Sequence, residues 1–171
     1  MTYIPDPLGG FLDDLRRNLA PECNPHAHVT LMPPRPLSGP PDEAWKQIHE
    51  YTKSLPVFPL QATGIGVFPE THVIYIELGM GREQLLELHA ALNRGPLHFA
   101  EPFEYHPHIT LAQELPLEAV AGAARLARDM WRQCPHSRIF PVEELTFVRS
   151  TAEKCWKDLA SVQLERISVV R

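Results

Sequence analysis

The sequence has few of the features that mark secreted, membrane-spanning or zinc-binding proteins. Its 171 residues include only three cysteines, too sparse for a disulfide scaffold and too widely spaced for a zinc site: Cys23, Cys134 and Cys155. No apolar run approaches the roughly 20 residues that cross a bilayer. The first ten residues lack the basic and apolar segments of a secretion signal. We therefore expect a soluble, cytoplasmic protein with reduced thiols and no membrane partner.

Positive charge is also scarce. The 16 Lys and Arg residues are outnumbered by 21 Asp and Glu residues, so the net charge is −5 with neutral histidines. A protein that holds long nucleic acid by its phosphates normally carries a basic surface. The charge balance therefore disfavours long RNA as a partner and is compatible with a nucleotide or a short RNA end.

The sequence does contain a normal share of apolar residues, 44%, and an unusual number of prolines, 18, which cluster at turns. The length fits a single domain over residues 1–171. Hydrophobic periodicity predicts helices over residues 11–19, 44–51, 82–93 and 117–133. Alternation and β-branched residues predict strands over residues 26–32, 57–68, 73–78, 108–112, 142–149 and 156–164.

One short motif occurs twice. Residues 28–31 read His-Val-Thr-Leu and residues 108–111 read His-Ile-Thr-Leu, and the elements around the two copies follow the same order. Residues two apart on a strand share a face, so His28 and Thr30 should point away from the core. The repeat predicts two similar half-domains whose motif strands line a common cleft.

Two imidazoles and two hydroxyls in one cleft suit phosphate ester chemistry. One of His28 and His108, when neutral, can take a proton from the attacking oxygen, and the other, when protonated, can give a proton to the leaving oxygen. Thr30 and Thr110 can donate hydrogen bonds to the phosphate oxygens. A single His-x-Thr is ordinary strand sequence, but two matched copies predict a catalytic pair.

With these motifs, the sequence resembles the 2H phosphoesterases and, within them, the 2′-5′ RNA ligase-like branch. The resemblance rests on residues 28–31 and 107–112 in matching strand and helix context. It implies an α+β fold in which two pseudo-symmetric antiparallel-sheet lobes with flanking helices surround a central groove, one motif in each lobe. The N-terminal strand of the RNA-processing members is reduced here to little more than residues 2–4.

The resemblance also implies an activity: metal-independent, cofactor-free hydrolysis of 2′,3′-cyclic or 2′-5′ phosphodiesters of nucleotides or RNA ends, with reversible 2′-5′ ligation. His28 and His108 match the acid-base pair of the family. Thr30 and Thr110 match its phosphate contacts. The physiological substrate and the assignment of acid and base stay open at this stage, and we expect a monomer.

Four further residues are candidates for substrate contact. An anionic substrate needs positive charge near the cleft, which Arg35 and Arg149 can supply. Phe68 and Tyr105 can stack on a base. Each has a structural alternative, a solvated surface position for the arginines and core packing for Phe68. Five histidines without repeated partners are expected at the surface or satisfied in the core: His49, His72, His89, His98 and His136.

Two other functions compete with this interpretation. Each half reads His-x-His, so His26, His28, His106 and His108 together could hold the metal of a metal-dependent hydrolase. The threonine repeats as faithfully as the second histidine, which favours a metal-free site. His26 and His106 would then be exposed residues at the start of each strand or would support the catalytic pair. The second alternative is a non-catalytic module that binds nucleotides or RNA ends.

Overall fold

The computed structural model describes residues 1–21, 26–151 and 156–166. Within these ranges there are four α-helices: α1 (Leu8–Leu19), α2 (Pro41–Thr52), α3 (Arg82–Leu92) and α4 (Leu117–Arg132). The strands are β1 (Thr2–Tyr3), β2 (His28–Val29), β3 (Phe58–Val67), β4 (Ile74–Leu78), β5 (His108–Ala112), β6 (Ile139–Val142), β7 (Glu144–Ser150) and β8 (Trp156–Gln163). The predicted order of helices and strands is confirmed except that three strands, not two, follow α4, because β6 is a separate strand.

The helices form where local chemistry favours them. Helix α1 buries four leucines on one face, namely Leu8, Leu12, Leu15 and Leu19. Helix α2 begins at a proline, which lacks the N–H that a first helical residue would leave unpaired, and carries Asp42 and Glu43 in its first turn. Gly81 precedes α3 with a φ of 83°, in the left-handed region that glycine adopts freely, so the Gly-rich segment before α3 is a turn.

The strands form two rows, one in each lobe. The first row is a four-stranded antiparallel sheet in the order β5-β4-β3-β6. The second row consists of the pairs β1-β2 and β7-β8, which are joined by two hydrogen bonds between the backbones of Met1 and Thr146, 2.8 and 3.0 Å long. The two motif strands, β2 and β5, end their rows and lie against each other. The bilobal fold is therefore confirmed.

The lobes are not the contiguous half-domains that the repeat suggests. Strand β5, from the second half of the chain, pairs with β4, and β4 pairs with β3, so both partners come from the first half. Strand β2 reaches the β7-β8 hairpin of the second half through β1. Each lobe is thus built from both halves of the sequence, which ties the lobes together through the chain itself.

Two predicted strands have different bounds, and a third has an irregular register. The strand predicted over residues 26–32 is only two residues long, because its partner β1 is equally short and prolines follow at residues 33 and 34. The segment predicted over 142–149 is the end of β6 followed by β7, with a break at Glu143. In β3 the register shifts between Ala62 and Ile65, a stretch that contains Gly64.

Alternation along the motif strands is as expected. Val29 and Leu31 in the first motif, and Ile109 and Leu111 in the second, are buried in the hydrophobic core. The histidines and threonines between them are only partly buried, so they face the other way.

Helices α1 and α4 pack against each other and against the β5-β4-β3-β6 sheet, and α2 packs on α3 and β8. Cys134 is a half-buried free thiol against the core, whereas Cys23 and Cys155 lie outside the described residues. Across the described part of the chain, no helix is long and apolar enough to cross a membrane.

Candidate active site

The two motif histidines are held by the same backbone contact. His28 Nδ1 lies 2.9 Å from the carbonyl oxygen of His26, and His108 Nδ1 lies 2.6 Å from that of His106. A carbonyl only accepts, so each Nδ1 carries a proton and donates it. In the neutral ring the lone pair then resides on Nε2. Each motif thus presents one orientated Nε2 that is available for proton transfer.

Aromatic rings surround each imidazole. Phe68 and Tyr75 stack on each other at 4.0 Å, and both meet His108 edge to face, at 5.1 and 5.4 Å between ring centroids. The Tyr75 ring lies against Gly66, where a Cβ would come within 2.5 Å of it, so any larger residue there would displace the ring. His28 has Tyr3 and Trp156 at 6.4 and 6.3 Å.

Burial of the two histidines changes their acidity. The pKa of His28 is lowered to about 4, mainly by burial and in smaller part by the positive charge of Arg16 on α1, against the opposing hydrogen bond to His26. Burial also lowers the pKa of His108, although the hydrogen bond to His106 and the negative charge of Glu77 oppose that shift. Both shifts favour the neutral imidazole near pH 7, and Glu77 opposes the shift at His108 only.

A carboxylate stands beside the second motif. Glu77, opposite His108 in the β4-β5 ladder, accepts hydrogen bonds from the Tyr75 hydroxyl at 2.8 Å and from His106 Nε2 at 2.9 Å. Burial would raise the pKa of Glu77, but these two hydrogen bonds and the charge of His106 outweigh it and hold the pKa below its usual value. Burial, followed in size by the hydrogen bond to Glu77, raises the pKa of Tyr75 to about 12. Glu77 thus stays ionised beside the His108 strand.

The two threonines are supported differently. Thr110 lies within β5, opposite Tyr75 in the ladder, and its Oγ1 is 3.1 Å from His108 Nε2. Thr30 lies beyond the end of β2, where no ladder partner exists among the described strands. Its carbonyl instead accepts a hydrogen bond from the Tyr105 hydroxyl, 2.9 Å away. A side chain therefore replaces the missing strand next to Thr30.

Tyr105 belongs to a buried polar network that also holds Arg35. The Tyr105 ring stacks on His89 at 3.9 Å, and His89 Nδ1 donates to the carbonyl of Leu31 at 2.8 Å. His89 Nε2 lies 3.3 Å from Glu101, which also forms an ion pair with Arg35. His89 is thus a satisfied core histidine, as expected. Through His89, the residues Leu31 and Arg35 that follow β2 are thereby linked to Glu101 and Tyr105, which precede β5.

These contacts decide where the four candidate substrate residues lie. Arg35 is buried, and its guanidinium is engaged by Glu101, by Asn93 at 3.1 Å and by the carbonyls of residues 33 and 97. It is therefore neither a solvated surface residue nor a free cation. Tyr105 uses its hydroxyl and one ring face inside the protein. Phe68 forms a wall of the His108 pocket, and Arg149 is exposed at the end of β7.

The four histidines of the alternative metal site do not converge. His106 turns its Nε2 to Glu77, and its ring centroid is 6.3 Å from that of His108. His26 has a φ of 81° and its ring packs edge to face with Tyr3. Within residues 1–21, 26–151 and 156–166, no group of three His, Cys, Asp or Glu side chains is placed to hold a metal ion. What His26 and His106 both contribute is a backbone carbonyl.

Comparison with known proteins places the chain in a family. The sequence profile described as the 2′-5′ RNA ligase superfamily matches residues 4–154, most of the chain. The chain belongs to this superfamily of 2H phosphoesterases. Its membership supports phosphoesterase activity.

Individual relatives agree with this family. A Halalkalibacterium halodurans protein is 26% identical over 137 residues, which cover 75% of this chain and 77% of that protein. Its name assigns it provisionally to the phosphoesterases. A similarly named Geobacillus thermodenitrificans protein is 30% identical over 91 residues, 52% of each chain. A solved structure from Thermus thermophilus shares the fold, with a TM-score of 0.59 over 98% of this chain and 97% of that one, at 18% identity.

Sequence reasoning about this phosphoesterase missed several residues around the histidines. Tyr75 and Glu77 are two residues apart on a predicted strand, so the sequence indicates that they share a face. No sequence pattern indicates that this strand pairs with the strand of His108. Trp156 and Arg16 come from distant segments and reach His28 only through the fold.

The low pKa of His28 predicts a specific acid sensitivity. The folded protein holds this pKa near 4, whereas an unfolded chain has about 6.5. As the pH falls below 6.5 the unfolded chain binds the proton first, so stability is lost progressively between about pH 6.5 and pH 4. We expect His28→Gln, which keeps a donor for the His26 carbonyl, to lose less stability than the wild type when urea denaturation is moved from pH 7 to pH 5. An NMR titration of the native protein with His28 near 6.5 would contradict this.

Proposed function

We propose that this protein is a metal-independent phosphodiesterase that acts on 2′,3′-cyclic or 2′-5′ phosphodiester bonds of nucleotides or short RNA ends. The observation that carries the proposal is the matched pair of Nδ1 hydrogen bonds, which orient one Nε2 from each lobe on adjoining strands. Proton removal and proton delivery need two such groups on opposite sides of one phosphate. The net charge of −5 favours a small anionic substrate over long RNA.

The two histidines divide the proton transfers. In hydrolysis of a 2′,3′-cyclic phosphate, the neutral His28 Nε2 removes a proton from the attacking water as its oxygen bonds to phosphorus. The protonated His108 Nε2 gives its proton to the ribose oxygen as the P–O bond breaks. We assign the acid role to His108 because the negative charge of Glu77 opposes the lowering of its pKa by burial, whereas the positive charge of Arg16 adds to the lowering at His28. When the 5′-hydroxyl of a second nucleotide takes the place of water, the same two proton transfers form its bond to phosphorus while the bond to the ribose 3′ oxygen breaks, which is 2′-5′ ligation.

The threonine hydroxyls stabilise the phosphate in this proposal. Thr30 and Thr110 occupy equivalent positions two residues after the two histidines, on the same faces of their strands. In the described structure the Thr110 hydroxyl lies 3.1 Å from His108 Nε2. A hydroxyl there can donate to a non-bridging oxygen, whose negative charge grows in the transition state. Arg149, exposed at the end of β7, is a candidate for further charge neutralisation.

Chelator separates this proposal from metal-dependent hydrolysis. We expect hydrolysis of 2′,3′-cyclic AMP or a 2′-5′ dinucleotide to persist in excess EDTA. His28→Ala and His108→Ala should each lower kcat by about 10²- to 10⁴-fold, the range for general acid-base groups. His26→Ala and His106→Ala should be milder, since alanine keeps the carbonyl that orients the next histidine.

Three outcomes would contradict the proposal. Activity that is lost in EDTA and restored by zinc or manganese, together with equal loss in all four variants, indicates the four-histidine metal site. Nucleotide binding without turnover indicates a binding module. No turnover of any phosphodiester by folded wild-type protein rejects the proposed activity altogether.

The assignment of acid and base has its own test. A nitrophenolate leaves without needing a proton, so an activated ester should rescue the variant that lacks the acid and not the one that lacks the base. We expect His108→Ala to lose far less activity on a 4-nitrophenyl phosphodiester than on a cyclic nucleotide, and His28→Ala to lose similar factors on both. Rescue of His28→Ala alone would reverse the assignment, and equal losses everywhere would reject the division of roles.

Tyr105 is expected to act through Thr30. Tyr105→Phe removes one hydrogen bond to the Thr30 carbonyl and keeps the stacking on His89, so kcat should fall by up to about tenfold. In double-mutant cycles the loss of kcat caused by Tyr105→Phe should shrink when Thr30→Val is already present. The same loss should be unchanged in a Thr110→Val background, because β4 and not Tyr105 supports Thr110. Equal additivity with both valine variants would show that Tyr105 only stabilises the fold.

A further inference from the structure

A cavity of about 350 Å³ adjoins the candidate active site. It lies between three parts of the chain: the proline-rich loop between β2 and α2 (residues 33–40), helix α2, and the β7-β8 hairpin. Thr30 and Trp156 belong to both places, because both line the cavity, Thr30 carries a motif hydroxyl, and Trp156 meets His28 edge to face. A phosphodiester whose phosphate sits at His28 and Thr30 can therefore extend its organic part into this cavity.

The lining of the cavity selects for an occupant with few polar groups. Most of it is aliphatic, including Met32, Leu37, Ile48, Leu92, Leu97 and Leu145. Arg35 and Arg149 also line it; the Arg35 guanidinium is engaged by Glu101, and Arg149 is exposed at the end of β7. No carboxylate is present among the described lining residues, so an anion held at Thr30 meets no like charge from this wall. A polar group placed against the aliphatic part of the lining would lose its water without gaining a partner, which is unfavourable.

Two aromatic side chains of the hairpin contribute to the lining. Phe147 on β7 stacks on Trp45 of α2, with ring centroids 6.2 Å apart, and Trp156 begins β8. Aromatic walls favour ring systems, which gain from stacked or edge-to-face contacts beyond simple burial. The volume lies within the range of small-molecule pockets, roughly 300 to 1,000 Å³. The size and the chemistry of the cavity thus agree on a flat ring system.

We propose that this cavity binds an aromatic ring system on the organic part of the phosphodiester, and so selects the substrate. The proposal rests on the proposed function for the position of the phosphate. In a cyclic nucleotide the ring system is the base, and a purine, with its larger apolar faces, is preferred to a pyrimidine. The ring enters between the proline-rich loop and the hairpin while the phosphate stays at Thr30.

Equilibrium binding tests the cavity without requiring turnover. We expect calorimetric titration to give an affinity for 1-naphthyl phosphate at least about tenfold above that for methyl phosphate, because only the naphthyl group buries apolar area in the cavity. Hexyl phosphate should bind less tightly than naphthyl phosphate. Equal affinity for methyl and naphthyl phosphate overturns the proposal, and a hexyl ester that binds best replaces the aromatic occupant with an alkyl chain.

Variants of one residue locate the binding. Ile48→Phe fills part of the cavity and should lower the naphthyl preference about tenfold, whereas Ile48→Ala enlarges the cavity and should retain it. Leu126→Phe, on the exposed side of α4, is the matched control and should behave as wild type. Circular dichroism confirms folding of each variant. An unchanged preference in folded Ile48→Phe places the ring elsewhere and rejects the proposal.

Turnover distinguishes the two proposals. Methyl, phenyl and naphthyl esters of 4-nitrophenyl phosphate share one leaving group, so their rates differ only through the second ester group. We expect kcat/KM to rise from methyl to naphthyl, and 2′,3′-cyclic AMP to exceed 2′,3′-cyclic CMP. Hydrolysis with a flat series rejects the cavity and leaves the proposed function intact. Selective naphthyl binding without hydrolysis of any ester supports the cavity and rejects the proposed function.

Discussion

The burial of alternate residues in the two motif strands is the constraint on which the rest of the site depends. Val29, Leu31, Ile109 and Leu111 fill the core, and side chains of a strand alternate between its faces. The intervening histidines and threonines must therefore face away from it. A slip of one residue in either strand would exchange the two sets and remove the site, so core packing enforces the geometry of the candidate site.

The fold then makes two similar motifs chemically unequal. Strand β5 is paired along its length with β4, whereas β2 ends after two residues, and Tyr105 and His89 hold the carbonyls that follow it. The second motif has Glu77 nearby, and the first has the positive charge of Arg16. These charges modify a larger effect of burial, which lowers the pKa of both histidines. In the proposed mechanism such inequality widens the pH range in which one imidazole is neutral while the other is protonated.

The histidine two residues before each motif illustrates how a sequence repeat can mislead about chemistry. His26 and His106 resemble additional metal ligands, yet their shared contribution is the carbonyl that binds Nδ1 of the next histidine. Any residue supplies a carbonyl, so this role leaves no trace in the sequence. The imidazole of His106 acts separately, through its contact with Glu77, and among the described residues His26 packs on Tyr3 instead.

The sequence by itself determined the elements, the buried and exposed faces of the motif strands, and the family, because periodicity and the paired His-x-Thr motif are local properties. Only the tertiary structure decided that each lobe contains strands from both halves of the chain. The same is true of the ion pair between Arg35 and Glu101 and of the contact between Trp156 and His28. The apolar cavity beside Thr30 is likewise assembled from distant segments. The physical reason is the same in each case: burial and charge pairing depend on contacts between residues far apart in sequence, and no local pattern encodes which of them will meet.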